Sequence, residues 1–287
     1  MEYKEFLETK EKSFIDAGFD IEQSKLNSNL FDFQKHVVQI ALKKGRFALF
    51  QDCGLGKTIQ QLSWAQQVSK HTSMPVLILA PLAVVAQTVR EGFKFGIKLE
   101  QLNTNIDNPI GSLEGIYITN YDQLKNVQNI DSFGGVVLDE SSILKGKDGK
   151  LSTLIIDTFE NTPYRLACTA TPSPNDHMEL GQHSQFLGAM SYLEMLAMYF
   201  VHDGGETSKW RLRKHAKDDF WKYVCTWSIA IDNPSTLGFE DCGYDLPEIE
   251  YVEHIIPVPN ETDNLFGDVA VSATELHRDL KRSYDKR

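Results

Sequence analysis

The chain has 287 residues, 41% hydrophobic and 24% charged, a globular balance that excludes a disordered, collagen-like or coiled-coil protein. Its longest nearly apolar run, Val76 to Ala86, is interrupted by Pro81 and falls short of the ~20 residues of a spanning helix; the N-terminus, charged from Glu2, lacks a signal peptide's apolar stretch. The net charge of −11 belongs to one region: eleven acids and no Lys or Arg lie between Tyr223 and His277, and without them 29 basic residues face 29 acidic ones, so a basic nucleic-acid-facing surface elsewhere is not excluded.

In chain order, residues 1–29 read as a helical extension, and Phe33–Leu42 as a helix with Val37, Ile40 and Ala41 inward. From residue 47 to about 190, short apolar runs alternate with amphipathic ones, which predicts βα units around a parallel sheet. The predicted strands are Phe47–Phe50, Val76–Ala80, Gly115–Thr119, Val136–Leu138 and Arg165–Cys168. Between them, Ala83–Phe95 is a predicted helix with Ala86, Val89 and Phe93 on its inner face. Ser173-Pro174-Asn175-Asp176 predicts a further helix start, with Ser173 as N-cap and Pro at the first helical position. Beyond residue 190 the alternation fades: Met190–Phe200 reads as an apolar helix and Asp203-Gly204-Gly205 as a turn, followed by the basic stretch Lys209–Lys217, the acidic segment and a mixed-charge helix, Thr274–Arg287.

The strongest chemical signal is Phe47-Ala-Leu-Phe-Gln-Asp-Cys-Gly54-Leu55-Gly56-Lys57-Thr58, an apolar strand entering a glycine turn that opens a helix. Glycines let backbone N–H groups approach phosphates, and the helix N-terminus adds partial positive charge. In that setting Lys57 reaches the β/γ-phosphates and the Thr58 hydroxyl ligates Mg²⁺. Gln51 occupies the place where the general pattern has its first Gly, which suits the shorter Gly-x-Gly-Lys-Thr form. The plain alternative is a glycine corner with a solvated Lys57. The second signal is Val136-Val137-Leu138-Asp139-Glu140, which puts two carboxylates at the C-terminal end of a buried strand, the edge where open parallel sheets bind ligands. Asp139 would hold the metal and Glu140 would deprotonate the attacking water; the plain alternative is a pair capping the next turn. No Asn-Lys-x-Asp guanine motif is present, and Glu directly after Asp suits a hydrolase better than a kinase.

With these residues in place, about residues 30–247 resemble the first RecA-like lobe of superfamily 2 helicases, most closely the Swi/Snf-like DNA translocases and, among them, the helicases of tailed phages. Leu30-Phe31-Asp32-Phe33-Gln34 resembles the box whose Gln reads adenine, and Asp52-Cys53-Gly54-Leu55-Gly56-Lys57-Thr58 the nucleotide loop. Pro81, Leu82 and Gln87 fall in a stretch similar to motif Ia, and Thr119-Asn120-Tyr121 in one similar to motif Ib, both implying DNA contact. Asp139-Glu140-Ser141-Ser142 stands where the family has Asp-Glu-x-His, and Thr169-Ala170-Thr171-Pro172 resembles motif III, which couples nucleotide state to DNA grip. The resemblance implies an α/β fold, a RecA-like P-loop parallel sheet flanked by helices with C-terminal helical and acidic appendages. It divides the chain into the extension 1–29, an ATP-binding domain 30–190, a helical and basic insertion closing the lobe at 191–247, and an acidic linker 248–287 leading toward a second lobe. ATP and Mg²⁺ are the implied cofactors, DNA (duplex) and a second helicase lobe in cis or trans the implied partners, without a membrane, in the cytoplasm (the host's, for a phage protein).

Two departures stand out. Ser228-Ile-Ala-Ile231 replaces the Arg-Arg-x-Lys brace toward the second lobe, and nothing in Pro257–Arg287 supplies that lobe's arginine finger, so the expectation is a truncated or one-lobe product. The reading is therefore the ATP-binding lobe of a DNA helicase or translocase. Its rivals are a non-catalytic, nucleotide-gated DNA-binding or assembly module and a restriction-complex motor subunit. Weaker signals are Lys209, Arg211, Arg213 and Lys214 around Trp210, and the loop lysines Lys145, Lys147 and Lys150, each a DNA contact or a solvated charge run. His177 and His183, six apart, miss the three- or four-residue spacing of ligands on one helix face. The four cysteines (Cys53, Cys168, Cys225, Cys242) lack a Cys-x-x-Cys pair, which fits reduced thiols; Cys53 reads as a small filler, and Trp221, Tyr223 and Trp227 as packing residues.

Overall fold

The computed structural model describes residues 16–102, 114–146, 149–203, 206–241, 243–244 and 250–253. Two units divide the chain, 1–244 and 245–287, and all regular structure described here belongs to the first.

The strands are β1 (Arg46–Gln51), β2 (Val76–Ala80), β3 (Glu100–Gln101), β4 (Ile116–Asn120), β5 (Gly135–Asp139), β6 (Tyr164–Thr169), β7 (Phe200–Asp203), β8 (Glu206–Leu212) and β9 (Ser228–Ile231). The helices are α1 (Asp32–Lys44), α2 (Lys57–Thr72), α3 (Leu82–Lys94), α4 (Lys150–Thr158), α5 (Leu180–Leu187), α6 (Tyr192–Tyr199) and α7 (Lys217–Trp227). Seven strands form one parallel sheet in the order β3-β4-β2-β5-β6-β1-β9. Every side chain of β2 is buried, as a strand covered on both faces requires. Period-two alternation then splits the core. Leu49, Ile78, Val137 and Leu166 pack under α1, α2 and α3, whereas Phe50, Leu79, Leu138 and Ala167 pack against α4 to α7. No described helix is long and apolar enough to cross a membrane.

Local chemistry sets the helix ends. Gln34 Oε1 accepts from the Phe31 N–H at 2.9 Å, fixing the start of α1. Gly45, at φ 72°, lets the chain turn directly from α1 into β1. Ser191 and Glu194 make a reciprocal capping box at α6.

All five predicted strands are present within a residue or two, and several finer expectations are corrected. The buried face of α3 is Val85, Thr88 and Gly92, with Val89 half-buried against the core as expected, while Ala86 is exposed and Phe93 is 89% exposed. The cause is Gly92: a Cβ there would lie 2.0 Å from Leu99 Cδ2 and 2.8 Å from the Ile97 carbonyl, so the returning chain occupies the space a side chain would need. The helix after motif III starts later than Ser173. Asp176 caps the turn by accepting from the Met178 N–H at 3.0 Å, and α5 begins at Leu180. Of the extension 1–29, residues 16–29 carry one 3₁₀ turn, Gln23–Lys25, in place of a helix, and residues 1–15 lie outside the described residues. The segment in the brace position is β9, which pairs parallel with β1 (Ala48 opposite Ser228, Gln51 opposite Ile231) and extends the sheet. The basic stretch opens as β8 of an antiparallel hairpin with β7. Gly204 and Gly205 of the expected turn, the helix Thr274–Arg287 and the stretch Pro257–Arg287 lie outside the described residues.

Gly92→Ala should therefore destabilise the chain by about 1–3 kcal/mol, the usual cost of overpacking. The measurement is a lower urea midpoint at unchanged slope; a midpoint equal to the parent's would mean that Leu99 can retreat.

Candidate active site

The loop Gln51–Thr58 leaves β1 at the sheet's C-terminal edge and enters α2 through Gly56, at φ 73°. Glycine is required at Gly56 twice over, because a Cβ would also meet Gln34 Nε2 at 2.5 Å. Gln34 is buried, and its Nε2 donates to the Leu55 carbonyl at 2.9 Å, so α1 is fastened to the loop. Lys57 turns its ammonium back onto the loop, donating to the carbonyls of Gln51 (2.9 Å) and Asp52 (3.0 Å). Asp52, Cys53 and Gly54 are exposed, Leu55 is buried, and Thr58 stands half-buried at the mouth of α2. Asp52 Oδ1 accepts from the Cys53 N–H at 2.7 Å, so Cys53 takes part through its backbone.

Gln51 explains its own departure from the general pattern. Its buried amide forms a reciprocal pair with Gln60, both bonds 2.8 Å, and Gln60 also donates to the Leu55 carbonyl at 3.0 Å. This amide pair holds the base of the loop by side chains.

On the other side of β6, β5 ends at Asp139, and Glu140 follows in the left-handed region (φ 57°, ψ 58°), uncommon for a non-glycine residue. Its carboxylate is held by two hydroxyls: Thr169 Oγ1 donates to Glu140 Oε1 at 2.8 Å and Ser142 Oγ at 2.6 Å. Thr169 Oγ1 in turn accepts from the Thr171 N–H at 3.0 Å, which joins the expected coupling residues to Glu140. Thr169 is buried, Ala170 half-buried and Thr171 exposed. The residue after Glu140 is tied down as well: Ser141 Oγ and His183 Nε2 lie 3.0 Å apart, both fully buried, and burial pushes His183 down to about 4, so the ring is neutral. Burial pushes the Asp139 carboxyl up to about 6, against the pull of the Gln61 amide and the Lys57 ammonium and with repulsion from Glu140.

Residues 33–200 match the family model of the SNF2-related domain. The chain belongs to that family. In sequence it is 37% identical over 166 residues to a Xenopus tropicalis protein named as a SWI/SNF-related, matrix-associated, actin-dependent regulator of chromatin, subfamily A-like protein 1, a match covering 55% of this chain and 17% of that protein. It is 26% identical over 167 residues to the mouse protein named DNA annealing helicase and endonuclease ZRANB3, covering 54% of this chain and 15% of that one. The chain thus spans a small part of the length of these relatives. In structure it is similar to the Sulfolobus solfataricus SWI2/SNF2 ATPase core solved with double-stranded DNA: TM-score 0.62, 20% identity, 74% of this chain and 46% of that one, a likeness of fold.

Within this SNF2-related domain, the residues expected to touch DNA separate into two groups. Leu82 (69% exposed), Gln87 and the half-buried Pro81 sit at the start of α3, at the sheet edge beyond β2. Asn120 is half-exposed and caps the next turn through the Gln123 N–H at 3.2 Å. Thr119 and Tyr121 are buried, which corrects their assignment as contacts; the Tyr121 phenol donates to the Asp139 carbonyl at 2.8 Å and links that loop to β5. Arg213 is half-exposed, and its guanidinium donates to the carbonyls of Met198 (3.2 Å) and Ala197 (3.1 Å), closing the C-terminal end of α6. Arg211, Lys214, Lys145 and Lys150 are exposed, while Lys147 and the side chain of Lys209 lie outside the description. Sequence reasoning missed Gln51, Gln60, Ser142 and the His183 contact; only the breaks from pattern at Gln51 and Ser142 offered a signal.

The Asp139 carboxyl titrates above its unfolded value, so burying its charge costs stability once the pH exceeds that value. Asp139→Asn should therefore be more stable than the parent at pH 7.5 in EDTA, by about 1–3 kcal/mol, with the gap closing as pH falls through 6 and absent below ~4. Urea unfolding at the three pH values is the measurement; a gap that ignores pH would remove the buried-charge explanation.

Proposed function

We propose that this domain is the nucleotide-binding lobe of an ATP-dependent DNA helicase or translocase, with ATP hydrolysed at the edge formed by β1, β6 and β5. The observation that carries the reading is the convergence there of three groups with separate roles. Lys57 is an ammonium satisfied by two carbonyls it can exchange for phosphate oxygens. Asp139 stands beside it electrostatically. Glu140 is held by Thr169 and Ser142 so that its remaining oxygen can orient and deprotonate water.

Gln34, held beside the loop by the Phe31 N–H and the Leu55 carbonyl, is the amide to which we assign the reading of adenine. The Thr58 hydroxyl and the Asp139 carboxyl are hard oxygen donors of the kind Mg²⁺ takes together with phosphate oxygens, and a buried amide without a partner, Gln61, lies next to them, so the residues fit that cation. When bound, Mg²⁺ neutralises charge on the transferring phosphoryl group. Thr169 and Thr171 join Glu140 to the loop after β6, the coupling role we assign to them, while Tyr121 joins β5 to the turn at Asn120, on the side where Pro81, Leu82 and Gln87 would meet DNA. A second helicase lobe, in cis or trans, is the partner we assign to the open side of the site, and the cytoplasm, a phage host's included, is its place of action.

Lys57→Ala should lose most affinity for a fluorescent ATP analogue without loss of fold by circular dichroism, whereas Glu140→Gln should keep affinity and lower turnover by the ~10²–10⁴ of a missing general base. Unchanged affinity in the first variant would remove the phosphate assignment. No turnover in the parent with duplex DNA and a second lobe supplied would favour the nucleotide-gated module. Reversing Lys209, Arg211 and Lys214 to Glu, with Arg213 left in place as a helix cap, should weaken DNA binding for every sequence and flatten the log affinity–log salt slope by ~0.9 per duplex phosphate contact removed. A slope equal to the parent's would return the hairpin to a solvated charge run.

A further inference from the structure

Gln61 follows Lys57 by four residues and Thr58 by three, spacings that put all three on one face of α2. Helical side chains lean toward the helix N-terminus, so Gln61 leans back toward the phosphate loop. It is fully buried, and neither Oε1 nor Nε2 has a hydrogen-bond partner. The amide lies toward the Asp139 carboxyl at the end of β5, yet no hydrogen bond between the two is formed.

A buried amide without a partner is destabilising, and a Met of similar volume would fill the site without that cost. Its neighbour Gln60 does not share the condition, being fully engaged with Gln51 and the Leu55 carbonyl. Ser63 and Trp64 on the same helix also bury an unpaired polar atom, but they stand further along α2 from the loop. Gln61 alone among them offers both a donor and an acceptor next to a carboxylate at the phosphate edge.

Building on the proposed nucleotide site, we propose that Gln61 is a positioning residue of its cation: Nε2 donates to the Asp139 carboxylate and Oε1 accepts from a water in the shell of nucleotide-bound Mg²⁺. The amide pairs only when the site is loaded. Partners of this outer kind, which orient a ligand of the metal, typically contribute 10–100-fold to metal affinity.

The test uses the 287-residue chain, its Gln61→Met and Gln61→Leu variants, and a fluorescent ATP analogue titrated in EDTA and then with Mg²⁺ at fixed analogue. Both variants should match the parent in EDTA, need ~10-fold or more Mg²⁺ for half-maximal enhancement, and melt no lower than the parent. An unchanged Mg²⁺ requirement, with the parent responding to Mg²⁺, would overturn the inference and leave the nucleotide reading standing. A parent whose binding ignores Mg²⁺ would overturn both. Weaker binding in EDTA, or a lower melting temperature in both variants, would make Gln61 a packing residue of the loop and overturn the inference.

Discussion

The register of β6 between β1 and β5 is the constraint on which the chemistry depends. Thr169 lies opposite Phe50, and Cys168 opposite Asp139, so the last residues of three strands reach one edge together. In a parallel ladder a slip of one residue would turn every side chain to the other face. Here such a slip would expose apolar side chains now packed in two separate cores. Apart from Arg46 and Asp139 at their ends these three strands are buried, so the hydrophobic effect that assembles the sheet also fixes where the glycine loop, the Asp139 carboxyl and the Glu140 turn stand relative to one another.

Around that edge the structure prefers neutral hydrogen bonding to ion pairing. Lys57 rests on carbonyls, Glu140 on hydroxyls, and Gln51 and Gln60 on each other. These partners fix geometry but leave the charge of Lys57 and Glu140 largely uncancelled, in surroundings where a charge is costly and its field strong. A polyanion arriving at the loop would therefore meet an ammonium already positioned, and the Glu140 carboxylate is held in place by its two hydroxyls. The left-handed turn at Glu140 belongs to the same arrangement, with the Ser141–His183 contact anchoring its far side.

Much of this was legible in the sequence, for identifiable reasons. The five main strands are doubly covered and read as unbroken apolar runs; the phosphate loop and the acid pair sit at strand ends where their types have few other uses. Other features depended on contacts that no local pattern records. Ala86 and Phe93 share helical spacing with Val89, but only Val89 of the three packs on the core, beside Val85, Thr88 and Gly92, where Leu99 closes against the helix. Asp176 displaces Ser173 as cap although both have the chemistry. A run of basic residues does not reveal that the Arg213 guanidinium donates to two carbonyls of α6. Amides such as Gln60 and Gln61 carry no charge and no motif signal of their own, so their opposite fates appear only in three dimensions.

The place of β1 in the sheet also bears on how the molecule comes to be folded. Although β1 is the first strand among the described residues, its two neighbours are β6 and β9, at residues 164–169 and 228–231. During synthesis the nucleotide loop therefore emerges long before the ladder that supports it, and β1 waits with both backbone edges unpaired. Non-local parallel pairing of this kind folds slowly and leaves hydrophobic strand exposed in the interval. A ribosome-bound chain ending before residue 228 would hold the loop on one side only, so nucleotide competence and completion of the sheet arrive together, late in translation.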